Sequence, residues 1–127
     1  MKQSHQFVVQ KHITTNDIHW DLMIKYEDVL WTWRCPIGPD QIGQESIELE
    51  KIFDHSLRFL TYEGPVQQNT GNVQIADSGN CKIISQIESA IQVEFSGSHL
   101  RGLYLLEKKN DPFWTILSNR DITLLGQ

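Results

Sequence analysis

Apolar and polar residues alternate at a period of two along most of the chain. In 18-IHWDLMI-24, Ile18, Trp20, Leu22 and Ile24 share one face, the signature of a half-buried strand. Val29, Trp31, Trp33 and Cys35 do the same one run later, and Tyr26-Glu27-Asp28 joins the two runs as a hairpin. Phe7 to His12 precedes them as a β-rich run. The segment 36-PIGPDQIGQES-46 carries two prolines and two glycines and reads as a long loop. Leu49 to Phe53 and Leu57 to Tyr62 read as extended, and 63-EGPVQQNTGN-72 as loop. Asp77-Ser78-Gly79-Asn80 signals a hairpin turn between Val73–Ala76 and Cys81–Ile87. Ala90 to Phe95, Leu103 to Glu107 and Phe113 to Leu117 complete the set. The best helical candidate is 44-QESIELEKIF-53. About eight short strands with turn signals every 8–12 residues predict an all-β fold, a sandwich or closed barrel with at most one short helix.

Composition narrows this reading only a little. A chain of 127 residues with 39% hydrophobic and 21% charged residues predicts one folded domain over 1–127. The net charge of −5 argues against bulk attraction to nucleic acid but leaves room for a local basic cleft. Cys35 and Cys81 have no CxxC spacing and are expected as buried thiols. MKQSHQFVVQ lacks the apolar core of a signal peptide, and no apolar run approaches ~20 residues, so the expected location is the cytoplasm.

The candidate chemistry sits in 10-QKHITTNDIHWDLMIKY-26. On a strand, His19 and Asp21 project together, opposite the Ile18/Trp20/Leu22/Ile24 face. His12 joins them if the strands flanking 13-ITTND-17 are neighbours. Two imidazoles and a carboxylate suit a divalent metal with open positions, Mn²⁺, Fe²⁺ or Zn²⁺. The competing reading is that they are ordinary polar residues on the wet side of a sheet. His55, in 53-FDHSLRF-59, is a candidate general acid or phosphate contact, against a structural surface histidine. His5, in a terminus expected to fray, and His99, in the turn 96-SGSHLRG-102, receive no role. Trp31, Trp33, Trp114 and Tyr104 alternate with other apolar residues and are expected in the core rather than as a base-stacking platform.

Seven blocks, 7-FVVQKH-12, 19-HWDLMI-24, 29-VLWTWRCPIGP-39, 54-DHSL-57, 62-YEG-64, 101-RGLYLLEKKNDPFWTIL-117 and 120-RD-121, resemble the 3′-phosphoesterase domain of bacterial DNA ligase D, here as a stand-alone, divergent member. The resemblance implies a single small closed or nearly closed β-barrel of about eight strands. It implies removal of 3′-phosphates or 3′-ribonucleotides from nucleic-acid ends in DNA repair, with a divalent metal, Mn²⁺ first and Zn²⁺ or Co²⁺ as substitutes. By the same resemblance His12, His19 and Asp21 are the metal ligands and His55 contacts the scissile phosphate. Met23, Ile37, Ile47 and Phe53 stand where the family carries charged residues, and Arg34, Lys51 and Arg58 are the expected replacement phosphate contacts by proximity in sequence. The implied partners are a nucleic-acid 3′ end and a separately encoded ligase or polymerase, with no membrane and a monomeric state. The alternative is a non-catalytic relative that binds a metal or a nucleic-acid end. A weaker third reading is hydrolysis of a smaller phosphate ester.

Overall fold

The computed structural model describes residues 3–66 and 71–118. Its strands are β1 (Gln3–Ile13), β2 (Ile18–Tyr26), β3 (Val29–Cys35), β4 (Ile47–His55), β5 (Gly64–Pro65), β6 (Asn72–Ile87), β7 (Ala90–Ser96), β8 (Arg101–Lys108) and β9 (Phe113–Ser118). The sheet runs in the order β1-β2-β3-β4-β9-β8-β7-β6, and β6 pairs back onto β1. Eight antiparallel strands thus close into a barrel, with the two-residue β5 added beside the start of β6. Closure removes the free edges that an open sheet would present. Among the described residues there is no α-helix, only two 3-10 turns, Pro39–Gln41 and Leu57–Leu60. Among the same residues, no helix is long and apolar enough to cross a membrane.

The alternation read from the sequence fills the barrel. Phe7 and Val9 of β1, Leu22 and Ile24 of β2, and Trp33 and Cys35 of β3 enter one core with Phe95, Tyr104, Trp114 and Ile116. Aromatic rings meet there edge to face: Trp33 with Trp114 at 5.6 Å, Phe7 with Phe95 at 4.8 Å, and Phe95 with Tyr104 at 5.5 Å. This geometry suits the ring quadrupoles. Trp33, Trp114 and Tyr104 are therefore core residues, as expected, and Trp31 packs against them. Cys35 and Cys81 are free and buried. Burial pushes the Cys35 thiol up and that of Cys81 up to about 12.

The outer wall of β1–β3 is also dry at one place. Val8, Met23 and Leu30, whose in-line neighbours face the core, point outward into a second cluster capped by Leu57, Phe59, Leu60 and Ile75. The cap is the 3-10 turn Leu57–Leu60, where the sequence predicts an extended run. Ser56 accepts the Arg58 N–H and starts that turn. Gln10, 1% exposed, donates from Nε2 to the carbonyls of Phe59 (3.0 Å) and Tyr62 (2.9 Å). Three apolar residues beneath the segment reward a compact turn over a strand with no partner.

Three other expectations are corrected. The helix proposed for 44–53 is instead loop followed by β4, which pairs with β3 on one side and β9 on the other. Two ladders of backbone hydrogen bonds outweigh the weak helical propensity of a two-turn stretch. The hairpin at Asp77-Ser78-Gly79-Asn80 does not form, and β6 runs through it. The β1 register jumps there from Val9↔Asp77 to Gln10↔Ile75, leaving Ala76 as a bulge. Asp77 turns its carboxylate to the N–H groups of Ser78, Ser98, His99 and Leu100 at 2.7–3.0 Å. A Cβ at Gly79 would come within 2.4 Å of the Ser96 carbonyl oxygen, so the glycine serves a close strand approach rather than a turn. His5, expected to fray, is held in β1, bonded to the Lys25 carbonyl at 2.8 Å and stacked on Tyr26.

Candidate metal centre

The β1–β2 register sets His12 directly opposite His19, and the pleat places Asp21 two residues along on the same face. The rings of His12 and His19 lie 4.8 Å apart at 67°. One ligand atom from each of His12, His19 and Asp21 lies within 4.8 Å of the others, a few tenths of an ångström beyond the ~4.2 Å that two bonds of ~2.1 Å to a shared ion span, so a small side-chain adjustment brings the three onto one ion. The sheet face is dry at two of the three positions, with His19 6% exposed and Asp21 4%, while His12 is half-buried.

Burial raises the question of where their polar atoms find partners. His19 Nδ1 lies 2.7 Å from Asp17 Oδ2. A carboxylate only accepts, so Nδ1 of the ring carries the proton and Nε2 presents its lone pair to the centre. His19 Nε2 and Asp21 Oδ1 stand 3.6 Å apart, each buried without a hydrogen-bond partner. Arg34, opposite Asp21 on β3, brings its Nε to 3.8 Å from the same oxygen. A buried polar atom left unpaired costs roughly 1–3 kcal/mol, and a shared cation satisfies both at once. The donor set fits a divalent transition metal. The Asp21 carboxylate holds His19 above its ordinary pKa, burial opposes this, and Asp17 adds to the rise. The bond from His19 holds the Asp17 carboxyl below its ordinary value.

A cleft of about 530 Å³ opens beside this centre and includes His12, Asp21, Arg34, Phe53, His55 and Arg58 in its lining. His55 reaches it through a bulge in β4. The β3 register passes from Leu30↔His55 to Thr32↔Ile52, so β4 carries one extra residue. His55 Nδ1 donates to the Phe53 carbonyl at 3.0 Å, which fixes the orientation of the ring. Its ring is stacked on Phe53, with centroids 4.8 Å apart and planes 4° apart, and meets the Phe59 edge. The Arg58 guanidinium lies over the rings of Phe59 and Tyr62, at 5.1 and 4.7 Å.

Lys51 does not join the others. Its ammonium lies 5.4 Å over the Trp33 ring, 3.0 Å from the Ile52 carbonyl and 3.7 Å from Asp54, and burial lowers its pKa. The four positions that depart from the resemblance also separate. Met23 is fully buried under the 57–60 turn, and Ile37 and Ile47 pack against the barrel core. Phe53 stands in the cleft. Two residues absent from the sequence reading belong to the site: Asp17, which orients His19, and Gln10, which ties down the cover. Each lies two residues from a ligand and at the same parity, so the alternation that pairs His19 with Asp21 also points to them.

The outer wall of a small antiparallel barrel thus brings together His12, His19 and Asp21, a group that could hold a metal ion, in or beside a cleft lined by Arg34 and Arg58. The family model for the DNA ligase D 3′-phosphoesterase domain matches residues 10–108, from Gln10 through Lys108. The chain belongs to that family. No curated protein matches it.

Proposed function

We propose that the protein is a divalent-metal-dependent phosphoesterase that removes a 3′-phosphate or 3′-ribonucleotide from nucleic-acid ends during DNA repair. One observation carries the reading: the unpartnered Asp21 Oδ1, 3.6 Å from His19 Nε2, lines one cleft with His12 and His55 in a chain of this family. His12, His19 and Asp21 would hold the ion, Mn²⁺ first and Zn²⁺ or Co²⁺ as substitutes. When bound, the ion supplies Lewis-acid polarisation of a non-bridging phosphate oxygen. His55, with Nδ1 committed to a carbonyl, donates from a protonated Nε2 to the leaving oxygen or to the charge that develops on the phosphate. Arg34 and Arg58, which both line the cleft, bind phosphate oxygens, and water is the nucleophile. The domain spans 1–127 and acts as a cytoplasmic monomer that hands a 3′-OH end to a ligase or polymerase.

The test is Mn²⁺-dependent release from a primer ending in a 3′-phosphate or 3′-ribonucleotide. His12→Ala, His19→Ala and Asp21→Ala abolish turnover. His55→Ala lowers kcat about 10²–10⁴-fold, the range for loss of a general acid. Wild-type protein without turnover across Mn²⁺, Zn²⁺ and Co²⁺ overturns the proposal. The packing roles of Met23, Ile37 and Ile47 favour one second reading, a metal- or end-binding relative without catalysis. Salt-sensitive binding to a 3′-phosphorylated duplex without turnover is its signature.

A further inference from the structure

Phe53 is 75% exposed, more than Ile18, Ile87 or Phe113, the other large apolar side chains open to solvent among the described residues. Leaving an aromatic ring in water forfeits its burial energy, so its position calls for a use. The ring is not loose. One face is stacked nearly parallel on His55, and His55 is braced by Phe59 and by its bond to the Phe53 carbonyl. Phe53 also lines the cleft that contains His12, Asp21, Arg34 and Arg58. A flat apolar surface, oriented in advance and set beside cationic groups, matches a nucleobase attached to a phosphate. Bases of any identity stack on such rings while nearby cations hold the backbone.

We propose that Phe53 is a stacking shelf for the nucleobase adjoining the scissile phosphate, so that the cleft selects a 3′-terminal nucleotide over a bare 3′-phosphate. The proposal deepens the phosphoesterase reading and rests on it. With Met23 packed under the cover and Lys51 turned to Trp33, the cleft's guanidinium groups are Arg34 and Arg58, which hold the phosphate while the base rests on Phe53. The open face of Phe53 would extend the stack to base, Phe53 and His55, carrying the phosphate toward His55 Nε2.

Two measurements on the full chain separate the shelf from the reading beneath it. The first is equilibrium binding, by fluorescence anisotropy, of a primer whose 3′-terminal nucleotide is joined by a non-hydrolysable phosphonate. It is compared with the same primer lacking the terminal base. The wild type favours the base-bearing primer on the order of tenfold, the scale of one base–aromatic stack. Phe53→Ala brings that preference close to one, and Phe53→Trp retains it. Equal binding of both primers by the wild type, or an unchanged preference in Phe53→Ala, overturns the shelf whether or not the protein turns over. The second measurement is the steady-state ratio of kcat/KM for the corresponding hydrolysable pair. A selective rise in KM for the base-bearing primer in Phe53→Ala supports the shelf. An equal fall in kcat on both primers means that Phe53 only braces His55, and overturns it.

Discussion

The imidazole of His19 meets the carboxylate of Asp17 at 2.7 Å, through the ring nitrogen opposite the one that faces Asp21. That bond selects the tautomer in which Nε2 can ligate, although Asp17 itself lies in an exposed turn. Carboxylates that orient metal-binding histidines in this way typically account for 10–100-fold in affinity.

Asp17→Asn is expected to weaken Mn²⁺ binding by about that factor while, at a pH above the raised His19 pKa, leaving the thermal midpoint of the metal-free protein nearly unchanged. Calorimetric titration and a melting curve on the same sample read both quantities. Unaltered affinity would mean that Asp17 has no orienting role.

Protons and metal compete for His19. Its folded-state pKa is raised above 6.5, so in the metal-free protein its contacts with Asp21 and Asp17 stabilise the fold fully below about that pH. The contribution is lost as pH rises through the raised folded value. Ligation needs the neutral ring, so Mn²⁺ affinity, and the rise in melting temperature at fixed Mn²⁺, grows across the same window. Titrations in buffers of different ionisation enthalpy should show proton release on the acidic side. Affinity that is flat from below 6.5 upward contradicts the assignment.

Gln10 offers a separate handle on the cover. Gln10→Leu keeps the volume but leaves the Phe59 and Tyr62 carbonyls without their donor, a cost of roughly 1–3 kcal/mol. Faster amide exchange over 57–62 is expected, with slower exchange retained in the barrel strands. Exchange accelerated equally everywhere would show that Gln10 supports the whole fold and not the cover in particular.

Asp77 tests the reading of β6. Four N–H groups converge on its carboxylate, and Asp77→Ala orphans them in a nearly dry site. Urea denaturation should record a loss of about 3–5 kcal/mol, with a smaller loss for Asp77→Asn. A change below about 1 kcal/mol would mean that water replaces the carboxylate.

The sequence by itself determined the all-β class and most of the strands, because a half-buried strand has to alternate and Leu22, Ile24, Trp33 and Cys35 do. It also determined that His19 and Asp21 share a face, since the pleat admits no other arrangement. Only the tertiary structure decided that this face is dry. The cover at Leu57–Leu60 rests on Val8, Met23 and Leu30 from three strands, and no local pattern records a surface assembled across strands. The same holds for Asp77-Ser78-Gly79-Asn80, whose turn chemistry was spent on a carboxylate receiving N–H groups some twenty residues away. Lys51 and His55 show the limit most directly. Proximity in sequence offers both to one site, but a one-residue bulge in β4 sends His55 to the cleft and leaves Lys51 over Trp33. A strand's period is a local property of the backbone, whereas a bulge exists only in register with a partner.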